Sequence, residues 1–360
     1  MNVADLLEPH PLSLALIEAG QEIGLRLNDD CNGAVQEGIG LTQVTQKNGQ
    51  RHSTAAAFLK PAMQRPNLTV QTHARVTRLL MQDKRVVGVA YIQGDEAHEV
   101  SVRREVILCG GAINSPQILM LSGIGPAAHL QALGIPVVMD IPGVGQNLQE
   151  HVRIGVDFAV GQYTAFALSS NAIEVNGFIK TRPDLPAPDL QLLGSAGGDS
   201  EQPSIGIAII LLRPESQGSI TLASPDPFAS PLIQPNYLAS EMDIQSLVDG
   251  FHLARKIGQA TVLDAYGTIE RTPGVWAQSE EAIRAYIRET AATTFHPVRT
   301  CKMGSDPLAV VNDRLQVHGV EGLRVVDASI MPAIVSGNTN APVIMIGEKG
   351  ADLIRHSTHN

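Results

Sequence analysis

The sequence VILCGGAINSPQILML, residues 106–121, reads as a buried strand, a glycine turn and a helix in direct succession. The apolar start predicts the strand, and Ser115 followed by Pro116 predicts a helix that begins there, because proline favours the first helical position. Gly110 and Gly111 allow the backbone to come close to a flat or charged group. A single turn of this kind is more often structural than functional, so the rest of the chain must decide.

The composition is that of a globular chain with a large interior. Of its 360 residues, 44% are apolar and 17% are charged, which excludes wholesale disorder. The net charge is −10 and no Lys/Arg run exceeds two residues, so we expect no nucleic-acid partner. No apolar run approaches ~18 residues, so we expect no transmembrane segment. The first residues lack a basic stretch before an apolar one, so we expect no signal peptide. Three widely spaced cysteines favour a reducing compartment, so we expect a cytoplasmic protein.

The periodicity of the sequence predicts a mixed α/β chain. Helical patterns lie at residues 12–24, 54–63, 126–134, 241–260, 279–290 and 342–354. β-rich runs lie at residues 68–72, 76–81, 85–92, 100–108, 136–139, 153–160, 172–180, 205–212, 219–222 and 323–327. The short strands and the Pro- and Gly-rich turns after residue 152 indicate a sheet-rich region between two mixed ones.

Two further glycine-rich junctions can present backbone N–H groups to a cofactor. One is GVGQNLQEH at residues 143–151, and the other runs from Asp327 to GNTNAP at residues 337–342. A third segment, GIGPAA at residues 123–128, has the Gly-x-Gly-x-x-Ala spacing of a dinucleotide turn. It follows a predicted helix where that motif requires a strand, so a nicotinamide enzyme is disfavoured.

One histidine of the eleven stands out as a candidate base. His296 lies in TTFHPVRTCKMG, residues 293–304, in an apolar turn just before a proline. A neutral imidazole beside apolar walls has a pKa suited to proton abstraction near pH 7. A metal centre is not expected, because His296 and Cys301 lack a second pair at ligand spacing, and no Gly-x-Ser-x-Gly turn indicates a serine hydrolase. An arbitrary histidine is more often structural, so the motif must be weighed with the others.

Together these motifs resemble those of the glucose–methanol–choline (GMC) flavin oxidoreductases. Residues 111–125, GAINSPQILMLSGIG, match the family's second signature over its whole length. Residues 296–304 are similar to its catalytic-histidine motif, and residues 323–332, LRVVDASIMP, to its C-terminal flavin-contacting strand. Residues 337–342 resemble the segment with its second active-site residue. The resemblance covers almost the whole chain and lies closest to the choline dehydrogenase-like branch.

The resemblance implies FAD as cofactor and a pair of catalytic residues over one face of the isoalloxazine ring. His296 would help remove the alcohol proton while the α-carbon gives hydride to flavin N5, and Asn340 would hold the developing alkoxide. A general base is typically worth ~10²–10⁴ in rate. The implied partners are a small alcohol and an electron acceptor, which is a quinone, oxygen or another carrier.

The same resemblance implies further site residues. Those assigned to FAD binding are Val76 (beside the adenine through its backbone), Gly110, Gly111, Asp327, Ala328 and Asn338. Glu174 resembles a carboxylate at the substrate pocket, where it would suit a cationic substrate, and a structural role for it is equally open.

The implied fold is α/β, or mixed α+β: a truncated FAD/NAD(P)-binding-type GMC fold with an interleaved antiparallel-sheet substrate domain. We expect a cap-associated segment at residues 1–46, FAD-binding parts at 47–152 and 294–360, and a substrate-binding domain at 153–293. The family's opening strand and Gly-x-Gly-x-x-Gly turn are not found before residue 110. We therefore expect the N-terminal FAD-binding βαβ unit to be lacking, with a separate N-terminal piece as a candidate partner.

The sequence thus predicts an FAD-dependent oxidoreductase acting on the CH–OH group of donors. The alternative is a non-catalytic remnant or a partner-dependent subunit without independent flavin binding. Arg299 stands where the family usually has Gly, and it would cost roughly 1 kcal/mol or more if that position needs a positive φ.

Overall fold

The computed structural model describes residues 1–161, 170–197 and 202–357. The chain forms two compact units, each assembled from three segments. Unit 1 contains Met1–Thr69, His151–Glu215 and Ser240–Thr294. Unit 2 contains Val70–Glu150, Ser216–Ala239 and Phe295–Asn360.

Short strands and longer helices make up both units. The helices are α1 (Pro11–Glu22), α2 (Lys60–Ala62), α3 (Gly111–Leu121), α4 (Ala127–Ala132), α5 (Glu241–Gly258), α6 (Glu280–Thr290) and α7 (Asn340–His356). The strands are β1 (Gly38–Leu41), β2 (Gln46–Lys47), β3 (Gln50–Arg51), β4 (Ala74–Gln82), β5 (Arg85–Gln93), β6 (Glu96–Ser101), β7 (Val106–Leu108), β8 (Ile124–Gly125), β9 (Met139–Asp140), β10 (Val152–Ala159), β11 (Ile173–Ile179), β12 (Leu190–Gly197), β13 (Ser204–Leu211), β14 (Ser219–Thr221), β15 (Leu232–Gln234), β16 (Ile269–Thr272), β17 (Ala292–Thr293) and β18 (Leu323–Val325). A π-helical turn at Ala55–Leu59 leads into α2, and 3-10 turns lie at Thr261–Tyr266, Gly274–Trp276 and Ala328–Ile330.

Unit 1 is built around an antiparallel seven-stranded sheet in the order β1-β11-β12-β13-β10-β16, with β17 also paired to β10. One face carries fully buried residues such as Val156, Ile207 and Ile209, and helices α1 and α5 pack on it. A methyl group at Gly258 would overlap the ring of Phe158, so this glycine lets α5 lie directly on β10. The opposite face is only partly buried along β10.

Helix α5 shows why the long helices can be predicted from the sequence. Ser240 caps its first turn by accepting the amide of Met242, and Glu241 and Asp243 suit the positive end of the helix. Arg255 and its neighbour Lys256 lie in the last turn, where positive charge is favourable. The predicted helices over 241–260, 279–290 and 342–354 are confirmed to within about two residues at each end.

Unit 2 holds the strand–turn–helix segment at residues 106–121. β7 pairs in parallel with β18, with Val106 opposite Leu323 and Leu108 opposite Val325. The antiparallel meander β4-β5-β6 and the hairpin β14-β15 complete this part of the unit. Its core consists of one cluster of buried apolar side chains, which includes the fully buried Leu119 of α3.

Helix α3 begins four residues earlier than predicted, at Gly111, so the prediction of a start at Ser115 and Pro116 is wrong. Pro116 lies inside the helix, where its missing N–H leaves a carbonyl one turn back without a helical donor. Gly111 has φ +76, a value that only glycine adopts readily, and the turn before the helix depends on it.

The strand predicted at residues 68–72 is absent, and the meander begins at Ala74 after His73, whose φ of +57 interrupts an extended run. Residues 47–69 belong to unit 1, and the division of the chain into FAD-binding and substrate-binding parts stays a prediction. Residues 216–239 belong to unit 2, because the β14-β15 hairpin is hydrogen-bonded to that unit, for example from the amide of Ile220 to the carbonyl of Gly145.

Over the described ranges, no helix is long and apolar enough to span a membrane.

Candidate active site

Backbone hydrogen bonds hold the histidine-bearing segment of unit 2, residues 295–304, on both sides. Val298 exchanges two main-chain bonds with Gln149, at 3.0 and 3.3 Å. On the other side Cys301 donates its amide to the carbonyl of Ser329 at 2.9 Å. The segment is therefore fixed like a central strand, which limits the positions that its first residues can take.

His296 is anchored through its main chain and is partly buried. Its amide donates to Oε1 of Glu150 at 2.6 Å, and Glu150 is only 8% exposed. The preceding Phe295 has φ +61, an uncommon backbone for a non-glycine residue that surrounding structure must maintain. Burial lowers the pKa of the His296 imidazole below its ordinary value, so the neutral, proton-accepting form predominates near pH 7.

The start of α7 brings a carboxamide to this imidazole. Nδ2 of Asn338 lies 3.5 Å from Nε2 of His296. Asn340, which the sequence pairs with His296, is the first residue of α7 and is exposed. Both carboxamides therefore belong to the turn that opens α7, and the catalytic role of Asn340 stays a prediction.

Asp327, predicted to face the cofactor, uses its whole carboxylate inside unit 2. Oδ2 accepts from the amide of Gly111 at 2.9 Å and the hydroxyl of Ser115 at 2.6 Å. Oδ1 accepts from the amide and the hydroxyl of Ser329, at 2.8 and 2.6 Å. Four donors occupy the capacity of an ionised carboxylate, so any contact of Asp327 or Ala328 with a cofactor falls to the main chain.

A cavity of about 940 Å³ opens in unit 2 beside the glycine turn. Val76 and Gly110, two of the predicted cofactor residues, both line it, together with Asn114 of α3. One wall is formed by Phe228, over whose ring the guanidinium of Arg75 lies at 5.1 Å. Apolar walls with a few convergent polar groups are typical of a small-molecule site.

Glu174 lies in unit 1 and is fully buried. Its Oε2 accepts the amide of His10 at 2.7 Å, and its Oε1 accepts the hydroxyl of Ser170 at 2.6 Å. His10 in turn caps α1, because its Nδ1 accepts the amide of Leu12. These contacts favour the structural of the two roles that the sequence left open, and a substrate role for Glu174 stays a prediction.

The sequence of this chain is similar to those of known proteins. Family models described as GMC oxidoreductase match residues 1–153 and 214–347. The alcohol dehydrogenase (acceptor) of Pseudomonas putida is 43% identical over 386 aligned positions, which cover 98% of this chain and 70% of that protein. The chain belongs to the GMC oxidoreductase family.

Other GMC proteins and solved structures agree. The mitochondrial choline dehydrogenase of Mus musculus is 41% identical over 96% of this chain, which spans 63% of that relative's length. The crystal structure of pyridoxine 4-oxidase from Mesorbium loti superposes with a TM-score of 0.92 at 29% identity, covering 98% of this chain and 72% of that one. A formate oxidase structure, at 24% identity and a TM-score of 0.90, shows the likeness of the fold alone. The mixed α/β GMC fold expected from the sequence is thus confirmed.

Two residues hold this GMC site together without a local sign in the sequence. Glu150 anchors His296 across 146 positions of the chain. Thr300 is fully buried, and its hydroxyl donates to the carbonyl of Ala112 at 2.6 Å. That carbonyl is the one left without a helical donor by Pro116, so Thr300 replaces the missing N–H and ties the histidine segment to α3.

Arg299 occupies a strained position in this segment. Its φ is +80, where the GMC family usually has Gly and where an L side chain is unfavourable. Its Nε atom is buried and meets no hydrogen-bond partner among the residues that the structure describes. Burial lowers the pKa of the Arg299 guanidinium, against the attraction of Asp306. The expected conflict between side chain and backbone at this position is confirmed.

Replacing Arg299 with glycine should therefore raise the free energy of unfolding by about 1 kcal/mol, because the strain is released at some cost in unfolded-state entropy. Arg299→Ala is the matched control, since it removes the guanidinium but keeps the Cβ at positive φ. Urea denaturation of the three proteins separates the two effects. A glycine variant no more stable than the alanine variant would show that the backbone stores no strain here.

Proposed function

We propose that the chain is the part of an FAD-dependent alcohol oxidoreductase that carries the proton-transfer residues. The observation that carries this proposal is the His296 site: a partly buried imidazole with a lowered pKa, anchored by Glu150 and facing the Asn338 carboxamide. The relatives named alcohol dehydrogenase and choline dehydrogenase support a CH–OH donor as the substrate class. Electrons would pass on to a quinone, oxygen or another carrier.

The residues of unit 2 fit FAD as cofactor. The 940 Å³ cavity lies within the usual range of about 300–1,000 Å³ for small-molecule sites. Its Phe228 wall suits a flat ring, and Val76 and Gly110 line the cavity. On this proposal Gly111, Ala328 and Asn338 complete the cofactor contacts, with unit 2 as the FAD-binding part and unit 1 as the substrate-binding part. When bound, FAD accepts the hydride of the alcohol α-carbon.

The chain's own residues would manage the proton. Neutral His296 accepts the hydroxyl proton of the alcohol at Nε2, which leaves negative charge on the substrate oxygen. A carboxamide N–H of Asn338 or Asn340 donates a hydrogen bond to that oxygen and stabilises the charge. Glu150 and Thr300 keep the imidazole in place while its protonation changes.

The decisive experiment is a flavin titration of the purified full chain. We expect a yellow protein that holds about one oxidised flavin per chain, or takes it up from added FAD, and whose flavin is bleached anaerobically by primary alcohols. A colourless chain that neither takes up FAD nor transfers electrons from alcohols to a dye would overturn the proposal. If flavin and turnover appear only together with a second, copurifying polypeptide, the partner-dependent alternative holds instead.

A further inference from the structure

The face of the unit 1 sheet opposite α1 and α5 contains a small notch with a carboxylate in its wall. Asp157 on β10 stands opposite Gly206 on β13, which stands opposite Ser195 on β12. A Cβ placed on Gly206 would lie 3.1 Å from Oδ1 of Asp157 and 3.1 Å from Oγ of Ser195, and would meet nothing else within 4 Å. The glycine therefore leaves a gap between two polar groups that both point into it.

The residues that lie next to the notch on the same face of the sheet are small or apolar. In the next row of the sheet, Gly155 stands opposite Ala208, which stands opposite Leu193. A Cβ on Gly155 would meet nothing within 4 Å. Among the residues that the structure describes, none fills the space beside Gly155 and Gly206, which has a carboxylate and a hydroxyl on one side and an aliphatic side chain on the other.

The Asp157 carboxylate lies beside Gly206 at the notch. Among the described residues, no hydrogen bond and no ion pair within 4.0 Å reaches it, in contrast to the two occupied oxygens of Glu174. Arg271 is the bulged residue of β16 beside it and attracts it at longer range. Burial raises the pKa of the Asp157 carboxyl, and the attraction of Arg271 only partly opposes this effect. A cation in the notch would therefore stabilise the ionised carboxylate, whose charge is partly removed from water.

We propose that the Asp157–Gly206–Ser195 notch binds the ammonium group of a small aliphatic amine. A protonated amine offers three N–H donors, of which two can reach the Asp157 carboxylate and the Ser195 hydroxyl, while its methylene groups pack on Ala208 and Leu193. This ammonium site stands on the contacts just given, which involve unit 1 alone.

The test measures binding rather than turnover, so it succeeds or fails independently of flavin chemistry. Propylammonium chloride and neutral 1-propanol are titrated into the full chain at constant ionic strength by calorimetry or ligand-observed NMR. We expect saturable binding of propylammonium, weakened about 10- to 100-fold by Asp157→Asn, because a hydrogen bond to a charged group is lost. Binding of 1-propanol should not respond to that change.

Two further variants make the result specific. Gly206→Ala keeps the charge but puts a methyl group where the ammonium would sit, so it should also abolish the propylammonium signal. Glu289→Gln removes an exposed negative charge from α6 and should leave binding unchanged. Equal propylammonium affinity in the parent and Asp157→Asn would overturn the proposal. So would equal losses in Asp157→Asn and Glu289→Gln, or a loss in Glu174→Gln that Asp157→Asn does not show.

Discussion

Replacing His296 with alanine should lower the rate of alcohol oxidation about 10²- to 10⁴-fold in flavin-loaded protein, while the flavin content stays unchanged. In the proposed mechanism the His296 imidazole accepts the hydroxyl proton. Its anchors are Glu150 and the backbone around Val298, which the substitution leaves in place. Stopped-flow reduction of the flavin by alcohol isolates the step that the base assists.

The pH dependence gives this prediction a second readout. The base must be neutral to accept a proton, and burial lowers the pKa of His296 below its ordinary value of about 6.5. The parent rate should therefore fall as the pH drops through a pKa below about 6.5, and should stay level above it. His296→Ala should lose that acidic limb.

A matched control is His356→Ala, which removes an exposed histidine near the end of α7. Its rate and its pH profile should equal those of the parent. If His296→Ala reduces its flavin as fast as the parent, or keeps the same acidic limb, another group is the base.

Replacing Asp327 with alanine should lower the free energy of unfolding of unit 2 by about 3–5 kcal/mol. The four donors on this carboxylate come from Gly111, Ser115 and Ser329, and the substitution leaves all four without their acceptor in a buried place. Amide hydrogen exchange locates the loss, because protection should collapse at the N–H groups of Gly111 and Ser329 first.

Asp327→Asn separates charge from hydrogen bonding, because it keeps one acceptor oxygen and should cost less than the alanine variant. Asp184→Ala, at an exposed surface carboxylate of unit 1, should change the free energy of unfolding by no more than about 0.5 kcal/mol. If the free energy of unfolding of Asp327→Ala lies within 1 kcal/mol of the parent value, the four hydrogen bonds of Asp327 do not stabilise unit 2 as proposed.

The parts of this fold that could be predicted are those whose causes are local. Helix α5 could be predicted from its N-cap Ser240 and from the charged residues in its first and last turns. His296 could be predicted as a candidate site residue from its similarity to the family motif. The start of α3 could not be predicted, because Ser115-Pro116 has the pattern of a first helical turn. The Thr300 hydroxyl, which bonds to the Ala112 carbonyl and so accommodates Pro116 inside the helix, lies 188 positions from Ala112. The four hydrogen bonds of Asp327 could not be predicted for the same reason, because its partners Gly111 and Ser115 lie more than 200 positions upstream.

The hydroxyl of Thr300 that stands in for the amide absent at Pro116 also constrains how this protein can be re-engineered. A mutant library that randomises the residues around His296 to widen the range of alcohols would include position 300 on grounds of proximity alone. Most of its members would then break the join to Ala112 and lose the histidine's alignment, although Thr300 itself need touch no ligand. Libraries that hold Thr300 constant, or change it together with Pro116, should yield a larger share of folded clones.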